Sequence, residues 1–313
     1  MKTLKITLLL LCYSVTSQAQ YTNCYYFLVN EASFLLHEKK YNESVKLYEK
    51  AFALNPDTFG PDFFVAARAY DNLGNNKQVW LMLQKAVRKG YTWAQIEKIE
   101  WVNFKKSKYW DKLKAEYPKQ YWQFLENRDD ELRDQIIRFD HADQFPRVYL
   151  YDNSPFSHQL LKKIDSLNMA LFKKLIAEKG FPDLQNIGYR ENYYNAVPLL
   201  LHFCKYSHES YLYFDPIMRQ AVKDGKLRPE HYAFIVDMYT SQFDRETLFL
   251  EGLKSYKQAK NVPNIAEIDL RRFNLGLIPL YQSAQQFNKE LPEGYQRPTQ
   301  ETLNNWCNCD KQK

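Results

Sequence analysis

The feature that most constrains the fold of this chain is a helical pattern that recurs after 35 residues. Residues 26–56 carry apolar side chains at the spacing of two amphipathic helices joined by a short polar connection, and residues 63–90 carry a second pair of the same kind. The offset is set by small residues at equivalent positions: Ala32 with Ala67, and Ala51 with Ala86. Small side chains let neighbouring helices approach closely, so the pattern predicts helix pairs that stack on one another.

The first of these pairs resembles a tetratricopeptide repeat. Residues 41–56, which begin Tyr-Asn-Glu-Ser and end Ala-Phe-Ala-Leu-Asn-Pro, match that pattern. The second pair has Tyr91 where the pattern has Pro, and its spacing is one residue longer than the usual 34. The resemblance covers about residues 24–90 and implies a solenoid whose surface holds a peptide or a partner protein.

The segment after the two pairs, residues 91–125, is unusually aromatic and contains four of the six tryptophans. Two pairs are fewer than the three or so repeats that usually bury a continuous core, so a further element should cover them. These side chains could form a platform for stacking a ligand, or the core of a degenerate third repeat. Burial is the more usual role of aromatic residues, so we predict a repeat region over residues 20–124 whose third unit is degenerate.

Residues 1–19 have the three parts of a secretory signal peptide. Two lysines and a nearly continuous apolar run to Val15 are followed by the small-x-small cleavage site Ser17-Gln18-Ala19. Lipoprotein processing at Cys12 fits less well, because Leu11 is not small. We therefore expect an exported bacterial protein, periplasmic or secreted. No later stretch approaches the roughly 18 continuous apolar residues of a transmembrane helix, so no transmembrane segment is expected.

Glycine is scarce, with nine among 313 residues. None of them forms the Gly-x-Gly-x-x-Gly or Gly-x-x-x-x-Gly-Lys patterns, whose glycines let a backbone approach a phosphate closely. Rossmann and P-loop nucleotide sites are therefore not expected, and the sequence indicates no cofactor. The formal net charge is +6, and basic and acidic residues are interspersed. Without a continuous basic stripe, nucleic-acid binding is not expected either.

Four cysteines follow the leader: Cys24, Cys204, Cys307 and Cys309. An oxidising compartment permits disulfides, but four cysteines in a chain of this length are not a disulfide framework. Cys307-x-Cys309 lacks the two further ligands that a zinc site needs, so no metal site is predicted. The C-terminal segment is interpreted as a surface strap or a disulfide. The pairing of the cysteines and the oligomeric state are left open.

Residues 125–313 are predicted to form a second helical domain. Only Val148–Tyr151 has the character of a strand. The chain is therefore expected to be all-α, with an N-terminal helix-pair solenoid packed on a C-terminal helical domain. Pro, Gly and apolar spacing place helices at about the following ranges: 156–179, 215–225, 228–239, 264–276 and from 279 onward.

Three polar residues of this domain stand in apolar surroundings: Asn168, His202 and Asp237. Asn168 lies on the stripe predicted to be buried in the 156–179 helix, made of Leu160, Ile164, Leu167, Leu171 and Leu175. A functional interpretation groups the following candidates: His202 as base or ligand, Asp143 or Asp237 as its orienting acid, Arg147 or Arg271 as an anion clamp, and Gln144 beside them. The alternative is a buried polar network that fixes helix register.

The same region resembles an uncharacterised bacterial domain, often exported and often preceded by tetratricopeptide-like repeats. The resemblance covers about residues 125–285 and implies no activity, because none is established for that domain. Members have Arg where Met238 stands here, and a Tyr-Gly-Thr segment that residues 241–252 lack, which favours the structural interpretation. The resemblance to this domain rests on short motifs in a specific order: Asp143-Gln144-x-x-Arg147, Ile164-Asp165-x-x-Asn168, Gly180-Phe181-Pro182, Ile187-Gly188, Leu199 to His202, Gly225-Lys226-Leu227, Ala233 with Asp237, and Arg271-x-x-x-x-Gly276-Leu277.

Two functions remain compatible with the sequence. The favoured one is an envelope protein that binds a peptide or protein, or acts as a scaffold, through its helical repeats. The other is a hydrolase or transferase with a polar site around His202. Neither a His-Glu-x-x-His nor a Gly-x-Ser-x-Gly motif is present, so the sequence favours a protein that is not an enzyme.

Overall fold

The computed structural model describes residues 24–150, 152–188, 196–243, 245–251, 262 and 264–306. The predicted leader, Cys307 and Cys309 lie outside these described residues. All regular structure within them is helical, which confirms the all-α prediction.

The two predicted helix pairs are present. The first consists of α1 (residues 24–37) and α2 (Tyr41–Leu54), and the second of α3 (Gly60–Asn72) and α4 (Asn76–Arg88). The alanines that define the 35-residue offset are fully buried, so the helices meet at their smallest side chains. The prediction of stacked helix pairs is therefore confirmed.

The aromatic segment folds as α5 (Trp93–Glu97), a 3-10 turn (Phe104–Lys106) and α6 (Lys108–Asn127), and α6 packs along α4. Asp71 anchors the turn: its carboxylate accepts the backbone N–H groups of Val102, Asn103 and Phe104 at 2.5 to 3.0 Å. Trp101 and Phe104 are buried, whereas Trp122 is 61% exposed. Most of the aromatic residues therefore serve packing, as predicted.

The C-terminal half consists of nine further helices and two short turns in the described residues. The turns are Pro146–Leu150, with π-type hydrogen bonding, and the 3-10 turn Ile265–Glu267. The helices are α7 (Asp130–Phe145), α8 (Pro155–Lys179), α9 (Leu184–Ile187), α10 (Ala196–Tyr206), α11 (His208–Lys223), α12 (Pro229–Gln242), α13 (Ile268–Leu275), α14 (Leu280–Gln286) and α15 (Gln300–Trp306).

Two predicted elements of this half were wrong. The candidate strand Val148–Tyr151 is the helical turn Pro146–Leu150, with Tyr151 outside the described residues. The helix expected to start at Asp215 instead begins at His208, because Ser207 caps it by accepting the N–H of Ser210. A proline within a helix removes one backbone hydrogen bond, and burial of the helix's apolar face outweighs that loss here.

The buried face of α8 also differs from the predicted one. Leu167 and Leu171 are more than half exposed, while Asn168, Phe172 and Leu175 are buried. Phe172 determines this rotation, because its ring lies 5.8 to 6.3 Å from three aromatic rings of other helices: Phe139, Phe203 and Phe214. Asn168 is buried as predicted, and its Nδ2 donates to the carbonyl oxygen of Phe139 at 3.4 Å.

One hydrophobic core joins the two halves of the chain. An ion pair crosses the boundary, from Arg228 Nη1 at the start of α12 to Asp62 Oδ1 in the first turn of α3, at 2.6 Å. The ring of Phe124 lies against Gly90 and Gly188, where an added Cβ would come within 2.8 and 2.3 Å of it. The repeats are thus packed on the C-terminal helices through specific contacts.

Candidate functional site

His202 and Asp143 form a direct pair between α10 and α7. Nδ1 of His202 lies 2.9 and 2.8 Å from Oδ1 and Oδ2 of Asp143. The aspartate is fully buried, and the histidine side chain is 17% exposed. An ionised carboxylate only accepts hydrogen bonds, so Nδ1 carries the proton in the neutral ring and Nε2 keeps its lone pair.

Arg147 extends this pair into a chain of four groups. Its Nη1 lies 2.8 Å from Asp143 Oδ1, and its Nη2 donates to both carboxylate oxygens of Asp165 at 2.7 and 2.9 Å. Gln144 Nε2 adds a hydrogen bond to Asp143 Oδ2 at 2.6 Å. We call these five side chains the Asp143 network. Four of the six candidates from the sequence therefore meet at one place.

Within the described part of the Asp143 network, Nε2 of His202 is a nitrogen without a hydrogen-bond partner. Arg147 is engaged by two carboxylates, so it is not available as an anion clamp. Burial raises the pKa of Asp165, and the hydrogen bonds from Arg147 oppose that rise. Nε2 of His202 has no hydrogen-bond partner among the described residues, and the side chain is 17% exposed. An oriented histidine with an accessible Nε2 is able to accept a proton.

Asp237 and Arg271, the other two candidates, lie at a second place. The carboxylate of Asp237 on α12 accepts the backbone N–H groups of Leu248, Phe249 and Glu251 at 2.7 to 3.1 Å. Arg271 Nε donates to the carbonyl oxygen of Leu248 at 3.1 Å. Burial raises the pKa of Asp237 to about 7, although the three amide donors favour its charged form. This arrangement fixes the segment from Leu248 to Glu251 onto α12 and presents no group outward.

A cleft of about 480 Å³ lies elsewhere, in the repeat region. Its walls are α1 and α3, the first helices of the two pairs, together with the loop at residues 99–102 and Gln286 of α14. Apolar side chains line part of it, among them Leu36, Val65 and Ile99. The volume falls within the range of small-ligand and peptide side-chain sites.

Polar groups in the cleft are available to a ligand. Arg68 and Lys39 are exposed, and neither makes an ion pair within the part of the chain that the structure describes. His37 and Asn72 add hydrogen-bonding groups at the same wall. Asp71 also borders the cleft, but its carboxylate already accepts three backbone N–H groups of the 102–104 turn. Glu100, in the 99–102 loop, is an exposed acid in the same lining. The cleft is therefore lined mainly by polar groups, among them the unpaired cations Arg68 and Lys39, with a smaller apolar part.

The sequence contains a signal for this cleft that sequence reasoning did not use. Ser33 and Arg68 are 35 positions apart, as are His37 and Asn72, and all four line the cleft. These pairs have the same offset as the buried alanines, but they lie on a different side of the first helices, where His37 and Arg68 are exposed and Ser33 and Asn72 are half-buried. Equivalent outward positions in stacked helix pairs form a shared surface, so the repeat offset alone identifies them.

No three His, Cys, Asp or Glu side chains are grouped to hold a metal ion in the described ranges. Among the same residues, no helix is long and apolar enough to cross a membrane. Cys204 is a free, buried thiol, and Cys24 is disulfide-bonded.

Comparison with known proteins gives no assignment for this fold or its sites. No family model, no curated protein and no solved structure matches the chain.

Proposed function

We propose that this protein binds a peptide or an extended segment of a partner protein in the cleft between α1 and α3. The observation that carries the proposal is the cleft itself, a mainly polar surface with some apolar side chains in which the unpaired cations Arg68 and Lys39 are exposed. An extended segment with hydrogen-bonding groups and a carboxylate group that pairs with Arg68 or Lys39 fits this lining. The resemblance to tetratricopeptide repeats supports the same role, because such solenoids use the surfaces formed by successive repeats for binding. The leader predicted at residues 1–19 makes an envelope or secreted location part of the proposal.

Selection from a random peptide library, followed by calorimetric titration of the selected peptides, tests this function. We expect selected peptides to carry an acidic group and to lose at least about tenfold in affinity when Arg68→Glu reverses the charge in the cleft. Arg138→Glu is the matched control, because Arg138 is an exposed arginine of α7 outside the cleft. Equal affinities for wild type and Arg68→Glu would overturn the proposal.

A second function is favoured by one observation, the accessible Nε2 of His202 paired through Nδ1 with Asp143. In this role Nε2 takes a proton from water or a hydroxyl group as its oxygen attacks an electrophilic carbonyl or phosphoryl centre. The same proton then passes to the departing group, as in a hydrolase or transferase. General-base catalysis of this kind contributes about 10² to 10⁴ in rate.

This second function is tested with p-nitrophenyl acetate and p-nitrophenyl phosphate, which report acyl and phosphoryl transfer to water. A hydrolytic role predicts turnover by the wild type that falls about 100-fold or more in His202→Gln. Identical rates for the two purified proteins would eliminate it. We rank it second because three of the charged groups in the Asp143 network are already engaged with one another.

A further inference from the structure

Two hydrogen-bonded pairs of the same kind join α1 of the repeats to α14 of the C-terminal half. Nε2 of Gln285 donates to Oε1 of Glu38, directly after α1, at 2.9 Å, and Nε2 of Gln282 donates to Oε1 of Glu31 at 3.0 Å. Gln285 is exposed, whereas Gln282 is only 4% exposed. The two pairs therefore share their chemistry and their helices, and they differ in their access to water.

The buried pair leaves two oxygens without a donor. Oε2 of Glu31 and Oε1 of Gln282 are buried, and neither has a hydrogen-bond partner among the described residues. An ionised carboxylate only accepts hydrogen bonds, so it satisfies neither oxygen, and buried acceptors without a donor are costly. A protonated carboxyl group supplies an O–H that can donate to the amide oxygen while the amide N–H donates back. The contact therefore suits the neutral form of Glu31.

The electrostatic surroundings of Glu31 act in the same direction. Burial raises the pKa of Glu31, and the hydrogen bond from Gln282 and the positive charge of Lys40, which precedes α2, oppose that rise. Tyr281 on α14 is a further titratable neighbour, and burial raises its pKa as well, so its phenol is neutral. Because the pKa of Glu31 is raised in the folded chain, the contact is favoured at low pH and weakens as the pH rises through that pKa.

A second carboxyl group near Tyr281, on α13, shows what the Glu31 contact lacks. Burial also raises the pKa of Asp269, but Oδ1 of Asp269 accepts the backbone N–H of Leu280 at 2.6 Å and Oδ2 accepts the O–H of Tyr295 at 2.6 Å. Both oxygens of an ionised Asp269 therefore have donors. Glu31 has a donor for one oxygen only, so ionisation of Glu31 leaves buried acceptors unpaired at this contact.

The position of the contact couples it to the cleft. Gln282 lies one turn before Gln286, the last residue of α14, which lines the cleft. Glu31 lies two positions before Ser33, which lines the cleft from α1. A separation of α14 from α1 at Glu31 therefore displaces Gln286 relative to the wall that α1 forms.

We propose that the contact between Glu31 and Gln282 is a proton switch between the repeats and the C-terminal half. When Glu31 is protonated, its O–H donates to Oε1 of Gln282 and α14 is docked on α1. Release of that proton to water leaves a buried charge and two acceptors without a donor, and α14 separates from α1. Gln286 then moves, so the cleft is complete at acidic pH and open on one side at higher pH. The effect on the cleft rests on the proposed peptide binding, whereas the docking of α14 does not.

Hydrogen exchange of the full chain at about pH 5 and about pH 8 tests the switch. Protection factors, which correct for the intrinsic effect of pH on exchange, are compared for mass-spectrometric fragments that cover α14. In the wild type they should fall at least about tenfold between the two pH values, because buried acceptors lose their donor. In Glu31→Gln they should be equal at both, since the introduced amide supplies an N–H donor to Gln282 at either pH.

The matched control is Glu38→Gln, which changes the exposed pair and should keep the fall in protection of the wild type. Thermal unfolding should show that both variants fold. Equal protection of wild-type α14 at the two pH values would overturn the proposal, and so would a fall in Glu31→Gln as large as that of the wild type.

Calorimetric titration with a selected peptide separates the switch from the proposed function. The wild type should bind the peptide more tightly at about pH 5 than at about pH 8, and this difference should be smaller in Glu31→Gln. Docking of α14 that depends on pH without such a difference in affinity would overturn the effect on the cleft and leave the docking in place. A chain that binds peptides at neither pH would contradict the proposed function and leave the exchange result unaffected.

Discussion

The cleft of the repeats and the aspartate-centred networks of the C-terminal half use polar residues in opposite ways. In the cleft, Arg68 and Lys39 are exposed and make no ion pair within the described residues. Asp143 and Asp237 are fully buried, and each accepts three or more hydrogen bonds or ion pairs. A group that the fold already satisfies holds the fold together, whereas an unpaired group beside a cavity is available to a ligand. This difference is why the proposed function is placed in the cleft.

The largest expected effect that sharpens this comparison is a pH dependence of stability. The folded pKa of Asp237 is about 7, above its ordinary value near 3.9. The contribution of Asp237 to the free energy of unfolding is therefore complete below pH 4. It is lost as the pH rises through 7, by as much as about 4 kcal/mol. Urea unfolding of wild type and Asp237→Asn between pH 4 and 8 should show a larger decline in the wild type than in the variant. Parallel curves would contradict it.

Removing the acceptor itself should have the next largest effect. Asp237→Ala leaves the N–H groups of Leu248, Phe249 and Glu251 without their acceptor, which should cost about 3 kcal/mol at pH 5. Hydrogen exchange of these three amides should accelerate in the variant. A loss of stability below about 1 kcal/mol, with unchanged exchange, would show that Asp237 does not fix this segment.

Asp143→Ala should destabilise the protein less, by about 2 kcal/mol, because Arg147 keeps Asp165 as a partner. The resonance of His202 Nδ1 should also change, since the ring loses the carboxylate that sets its tautomer. Affinity for cleft-binding peptides should stay at the wild-type value. A variant that folds normally but no longer binds these peptides would mean that the Asp143 network, and not the cleft, supports binding.

The smallest change in stability is expected in the cleft. Arg68→Glu alters an exposed side chain without an ion-pair partner, so the free energy of unfolding should change by less than about 0.5 kcal/mol. The same substitution should weaken peptide binding by about tenfold or more, as stated above. Loss of stability together with binding would mean that Arg68 is a structural residue, and the contrast between the two regions would fail.

Sequence reasoning was most successful where the signal is local or periodic. The offset of Ala32 and Ala67 predicted the stacked pairs. His202 was singled out because it stands in an apolar segment, and Asp143 was one of the two acids proposed to orient it. The rotation of α8 was not predicted. Leu167 and Asn168 lie on adjacent faces of the helix, and which face is buried depends on the contacts of Phe172 with distant helices.

The partners of Asp237 were also beyond sequence reasoning. Asp237 was grouped with His202 as a possible orienting acid, but its partners are backbone amides 11 to 14 residues along the chain. Any residue type supplies such an amide, so no side-chain pattern marks it. The cleft was missed for a different reason: its lining residues are outward positions of the repeat, which hydrophobic periodicity does not select.

Chemical-shift mapping with one selected peptide tests the central claim most directly. The account predicts that the perturbed resonances cluster at the cleft, on Leu36, Val65, Arg68 and Trp101, and that those of His202 stay unchanged. Perturbations centred on α7 and α10 around His202, with the cleft unaffected, would contradict it.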